Sequence, residues 1–134
     1  MTETDHLLTL ALSGNPAPVH SDAQFCDRTG RGQVLVCATV TLGIVLGATV
    51  RATSALTTAS LALDELRLPH PVHVGDTLRA ETEILAVRRS RSRSDHAILT
   101  CRVTGYNQHE QQVITFTRTF LIPADPTIRD TTDY

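Results

Sequence analysis

Lysine is absent from this 134-residue chain, so all twelve basic side chains are arginine. That excludes mechanisms built on a Schiff-base lysine or on the lysine of a phosphate-binding loop. No large excess of either charge is present: the net charge is −2 and the isoelectric point is near 6.3. This gives no support to nucleic acid or an anionic membrane as partner. Cysteine is scarce, with three residues (Cys26, Cys37, Cys101) in no CxxC spacing and in an odd number. Reduced thiols in a cytoplasmic protein are the plain expectation. The first residues are acidic and lack both a basic stretch and a small-residue cleavage site, so they do not read as a secretory leader. With no low-complexity linker and no internal repeat, one domain is expected over residues 1–134. A chain of this length buries roughly two-thirds of its unfolded surface.

What the chain does have is one long apolar run, Gly30–Ala52 (GRGQVLVCATVTLGIVLGATVRA). A membrane span needs about 20 mostly apolar residues. Here Thr39, Thr41, Thr49, Gly43 and Gly47 interrupt the stretch, and Arg31 and Arg51 close it. The run is therefore read as a buried helix of a protein that does not cross a membrane. Valine, isoleucine and threonine favour strands, but strands rarely exceed about 10 residues. Length predicts a helix over Cys37–Thr53, buried on most faces, with Gly43 and Gly47 letting a sheet or second helix approach closely.

Before this run, Thr2–Ser13 reads as a helix with Leu7, Leu8, Ala11 and Leu12 on one face, stopped by Gly14. Two prolines make Asn15–Pro18 a fixed extended turn. Ser21 is the expected N-cap of a short helix through Arg28, with Asp22 as a first-turn charge. After Ala55 the apolar period changes to two. Strands are predicted around Leu61–Leu66, over Thr77–Arg88, over Ala97–Tyr106 and over Val113–Ile122. Arg89–Ser94 is expected to be a loop and Asn107–Glu110 a hairpin turn. Connections this short imply antiparallel pairing. The architecture is α+β, an antiparallel sheet wrapped around one long central helix, with exposed edges that favour dimerisation.

Three segments of the chain resemble the MaoC-like hydratase/dehydratase family, whose fold is the hot-dog. Gly14–Asp22 (GNPAPVHSD) resembles that family's Gly-Asp-x-Asn-Pro-Ile-His-x-Asp loop. Gly32–Gly43 is similar to its glycine-led approach to the central helix. Pro71–Leu78 (PVHVGDTL) is similar to its Pro-Val-x-x-Gly-Asp-Thr-Leu strand start, and Gly105–Gln108 to a recurrent hairpin. The resemblance implies reversible hydration and dehydration of an enoyl or 3-hydroxyacyl thioester, carried on coenzyme A or an acyl carrier protein. It places His20 at the catalytic histidine and Ala38 where a backbone N–H polarises the thioester carbonyl. Asn15 stands where many members have aspartate, and Ala17 where they have asparagine. Ala17, Val19, Cys37 and Thr41 are expected to touch the substrate.

These residue types suit the chemistry. A histidine titrates near neutrality and can both take and return a proton. A helix N-terminus offers N–H donors to a developing enolate. Asn15 cannot accept a proton and can only orient water or the imidazole. Its two departures keep rival readings open: a hot-dog isomerase, cyclase or thioesterase of polyketide-like metabolism, or a catalytically silent thioester-binding subunit. No cofactor is expected. No metal is expected either, because His70 and His73 stand three apart without a second ligand cluster. His96 and His109 read as solvated, and Arg88–Ser94 as a solvated strand end or a contact for coenzyme A phosphates.

Overall fold

The structure is a computed structural model that describes residues 1–124; the remaining residues of the expected 1–134 domain, 125–134, lie outside the described residues. Helix α1 spans Glu3–Ser13, α2 Ala23–Arg28 and α3 Ala38–Thr53, followed by strands β1 Ala59–Arg67, β2 Arg79–Arg89, β3 His96–Tyr106 and β4 Gln112–Pro123. A short 3-10 turn, Pro18–His20, lies between α1 and α2. The strands form one antiparallel sheet in the order β1-β4-β3-β2, so β1 and β2 are its edges.

Local chemistry explains the boundaries. Thr2 caps α1, its hydroxyl accepting from the Asp5 N–H while the Asp5 carboxylate accepts from the Thr2 N–H, a reciprocal capping box. Gly14 ends it in the left-handed region at φ 60°, a conformation that favours glycine. Cys37, in an extended conformation, precedes the first turn of α3.

The sheet curls over one face of α3. Alternate residues of β3 and β4 point at the helix, giving paired positions Leu99–Phe120, Val103–Phe116 and Gly105–Ile114. Phe116, Phe120, Ile114, Val45 and Val103 are all under 2% exposed, each burial being worth about 1.5–3 kcal/mol. No described helix is long and apolar enough to cross a membrane.

The buried residues of α1 are His6 and Leu10, whereas Leu7, Leu8 and Leu12, which share a face as expected, are 52%, 60% and 87% exposed. The helix turns His6 and Leu10 inward and leaves Leu7, Leu8 and Leu12 outside. Several other expectations are corrected. The cap of α2 is Asp22, whose carboxylate accepts from the Phe25 N–H at 2.9 Å. Asp22 is thus a cap rather than a first-turn charge, and Ser21 sits one residue too early to reach that amide. His96 is half-buried at the start of β3 and bonds Asp95 at 2.8 Å, so it is not free in solvent. In α3 only Val40, Thr41, Val45 and Thr49 are buried. Gly43 and Gly47 lie on its open side, where an added Cβ meets nothing within 4 Å.

The close approach occurs instead at Gly105 on β3, where an added Cβ would stand 2.7 Å from Ile114 and 2.8 Å from Val45. Gly105→Ala is expected to destabilise the fold by about 1–3 kcal/mol in urea unfolding. Gly43→Ala, free of any such clash, is expected to gain about 0.5–1 kcal/mol from helix propensity.

Candidate active site

The three segments that carry the family resemblance are far apart in sequence but adjacent in space. The strip Leu35–Val36, just before α3, joins them. The Leu35 N–H donates to the Val19 carbonyl at 3.1 Å, and the Val36 N–H donates to the Val72 carbonyl at 2.8 Å. Leu35 also forms an antiparallel bridge with His73. The histidine loop, the start of α3 and the Pro71–Leu78 turn are thereby held as three neighbouring strips.

His20 is fixed at both its main chain and its side chain. Its ring Nδ1 lies 2.8 Å from the Leu35 carbonyl oxygen. A carbonyl only accepts, so Nδ1 carries the hydrogen, and Nε2 of the neutral ring holds the lone pair. The His20 carbonyl accepts from His6 Nε2 at 2.7 Å. The two rings meet edge to face, with centroids 6.4 Å apart. His6 is 2% exposed, and its Nδ1 has no partner among the described residues. Sequence reasoning missed His6 because a histidine among leucines does not register in an apolar periodicity. The available signal was the i, i+4 pair it forms with Leu10.

A second cluster surrounds the beginning of α3. The Asn15 side chain accepts from the Ala17 N–H at 3.1 Å and donates to Cys37 Sγ at 3.4 Å. Thr39 Oγ1 lies 3.3 Å from the same sulfur. Burial pushes the Cys37 thiol up, but the hydrogen bonds of Thr39, Asn15 and the Ala38 amide outweigh it and hold the thiol below its ordinary value. Ala38 is the first residue of α3, where an N–H has no partner within the helix, and it is exposed. Asn15, Ala17, Cys37 and Ala38 are thus gathered in one place. Val19 contributes its carbonyl to the Leu35 tie, and Thr41 is 2% exposed inside the core. Among the described residues no group of three potential metal ligands occurs.

The sequence model of the MaoC like domain matches residues 1–107, and the chain belongs to that family. No curated protein sequence matches it. Among solved structures it is similar to the monoamine oxidase regulatory protein of Archaeoglobus fulgidus, at TM-score 0.84 and 24% identity over 94% of this chain and 84% of that one. It is similar to an (R)-hydratase of Pseudomonas aeruginosa at TM-score 0.71 and 26% identity, over 93% and 76% of the two chains. A Mycobacterium tuberculosis protein with a double hot-dog fold aligns at TM-score 0.83 and 23% identity, over 94% of this chain but only 39% of that longer one. The fold is the hot-dog fold, as a single α+β unit.

The third strip is stiffened by Asp76. Its carboxylate accepts from the His73 N–H at 2.9 Å and from Gln108 Nε2 at 2.8 Å. Burial pushes this carboxyl up, yet those two bonds outweigh it and leave it below the ordinary range. A lowered folded value means that its stabilisation is complete above the ordinary carboxyl value, about pH 4, and is lost as pH falls through the lowered one. Asp76→Asn is therefore expected to lower the melting temperature at neutral pH and to leave it less dependent on pH between neutral and acid conditions than the wild type.

Proposed function

We propose that this protein is a hydro-lyase that adds water to, and removes it from, an acyl thioester carried on coenzyme A or an acyl carrier protein. The observation that carries this reading is the 2.8 Å contact of His20 Nδ1 with the Leu35 carbonyl. With its Nδ1–H given to Leu35, the ring offers Nε2 as a base, on a loop bonded to the strip that leads into α3. In hydration Nε2 takes a proton from water as the water oxygen bonds to the β-carbon. The resulting imidazolium returns a proton to the α-carbon, and dehydration runs the same steps backward. Charge that develops on the thioester oxygen is met by the Ala38 N–H at the positive end of the α3 dipole. Asn15 helps to shape the water position, with Ala17, Val19, Cys37 and Thr41 around the acyl group. The similarity to an (R)-hydratase and membership of the MaoC-like family support this chemistry. We further propose a cytoplasmic homodimer or larger homo-oligomer over residues 1–134. The exposed leucines of β1, Leu61, Leu63 and Leu66, support that assembly.

One observation favours a second reading, a thioester-binding subunit without its own activity. Both polar ends of the Asn15 amide already have partners in Ala17 and Cys37, and no carboxylate stands at that position to share the proton work of His20. A partner chain carrying aspartate there would then supply the turnover.

Hydration of enoyl-coenzyme A thioesters separates the two readings. Active wild-type protein and a His20→Ala variant at least about 10²-fold slower are expected, with the oligomer intact. Wild-type protein that binds thioester but never turns it over would favour the silent subunit. A sharper probe is Ala38→Pro. Proline is tolerated at the first helical position and removes only the N–H, and the extended Cys37 (ψ 142°) before it suits a following proline. Loss of one such donor is expected to lower kcat by about 10²–10³ while the circular dichroism of the helix is kept.

A further inference from the structure

His6 is a buried histidine to which the proposed reaction assigns no part. It stands on α1 one turn before Leu10, and these two are the inward residues of that helix. Its Nε2 lies 2.7 Å from the His20 carbonyl oxygen. A carbonyl only accepts, so Nε2 carries the hydrogen, and Nδ1 in the neutral form holds the lone pair. No donor among the described residues meets that Nδ1, and the residue is 2% exposed. An apolar side chain here would avoid the cost of an unmet buried nitrogen. What it would not supply is the bond to the very residue that carries the proposed base.

The turn around His20 shows what that bond does. Three successive carbonyls have main-chain donors: Ala17 takes the His20 N–H at 3.0 Å, Pro18 the Asp22 N–H at 2.8 Å and Val19 the Leu35 N–H at 3.1 Å. The His20 carbonyl has no main-chain donor among the described residues; the His6 side chain takes that place. Beyond its own turn, His20 is therefore bonded at two points. Leu35 holds the ring at Nδ1, and His6 holds the peptide from which the ring hangs. The His6 ring also meets the His20 ring edge to face, at an interplanar angle of 68°. Helix α1 is itself anchored, by the Gly75 N–H donating to the Met1 carbonyl at 2.9 Å and by Leu10 in the core. Among the described residues no carboxylate bonds the His20 ring, and the Asn15 amide is engaged with Ala17 and Cys37.

We infer that His6 is a positioning residue for the reaction. By donating to the His20 carbonyl it fixes the His20 peptide, and through it the ring, so that Nδ1 meets Leu35 and Nε2 stays free as the base. The inference rests on the hydro-lyase reading of His20 and adds what holds that base in place. Without the donor, the carbonyl turns toward water to find a partner. The Cα–Cβ bond turns with it, and Nδ1 leaves Leu35 for part of the time.

Two variants separate the donor from the ring. His6→Phe keeps a ring of similar shape and loses the N–H, whereas His6→Gln loses the ring and keeps an N–H at the same reach. In hydration of enoyl-coenzyme A thioesters, His6→Phe is expected to lose about 10–10²-fold in kcat with KM changed by less than about threefold. His6→Gln is expected to keep kcat within about threefold of the wild type. A folded His6→Phe with the wild-type kcat overturns the inference, and so does an equal loss in the two variants. Should His6→Phe not fold, His6→Gln decides, since a folded protein that loses about tenfold or more in kcat despite its donor overturns the inference.

The tautomer of His20 gives a readout that needs no turnover. It is read from long-range proton–nitrogen correlation spectra in mildly alkaline solution, where imidazoles are neutral, with His20 identified as the signal missing from His20→Ala. The wild type is expected to carry the hydrogen on Nδ1 alone, and His6→Phe on both nitrogens in turn. The same tautomer in both proteins overturns the inference whether or not any thioester is hydrated. A changed tautomer with no turnover in any protein sinks the proposed reaction and leaves the hold of His6 on His20 established.

Discussion

The candidate site depends on the backbone of Leu35 and Val36. These two residues belong to no regular element, yet their N–H and C=O groups bind three segments at once. Leu35 gives its N–H to Val19 and its carbonyl to the His20 ring, while Val36 gives its N–H to Val72. Each bond is worth only about 0.5–1.5 kcal/mol net. Their joint effect is geometric, because one strip cannot shift without moving the histidine, the start of α3 and the Pro71–Leu78 turn together. The tautomer of His20 follows from the same strip, so the choice of ring nitrogen left free and the position of the loop have one cause.

Around that strip the molecule spends its polar groups unevenly. Near the start of α3 nearly every polar atom has a partner: Asn15 with Ala17 and Cys37, Thr39 with Cys37, Asp76 with His73 and Gln108. Deeper in, satisfaction falls off. Among the described residues, His6 Nδ1, Thr57 Oγ1 and Arg118 Nε are buried without partners. Buried polar groups in folded proteins are nearly always bonded, so these atoms stand out from the rest of the interior. His6 leans on the reactive loop, and Arg118 points into the space under the central helix.

The long helix was legible in the chain because its run exceeds what a strand can use. The strands were legible from their period of two and from the turn at Asn107–Glu110. There the Asn107 side chain accepts from both His109 and Gln111, and Glu110 adopts φ 59°. Faces were less legible. The leucines that share one face of α1 turn out to be exposed, and the glycines of α3 read as a tight contact and prove open. In both cases sequence shows that a face is apolar or small but not which neighbour stands opposite. For β2, a register shift between Ile84 and Ala86 breaks the alternation that a uniform strand would keep.

By itself the sequence determined the elements, their order, the antiparallel sheet around one helix and the loop that carries His20, because these follow from local period, chain length and turn chemistry. Its family motifs also brought Asn15, Ala17 and Ala38 into view together. Only the tertiary structure decided that Leu35 sets the His20 tautomer, that His6 braces its carbonyl, and that Arg118 lies buried beside Thr49. Leu35 is fifteen residues from His20 and Thr49 sixty-nine from Arg118. No local pattern encodes such a distance; it arises when the sheet closes over α3 and presses those residues together.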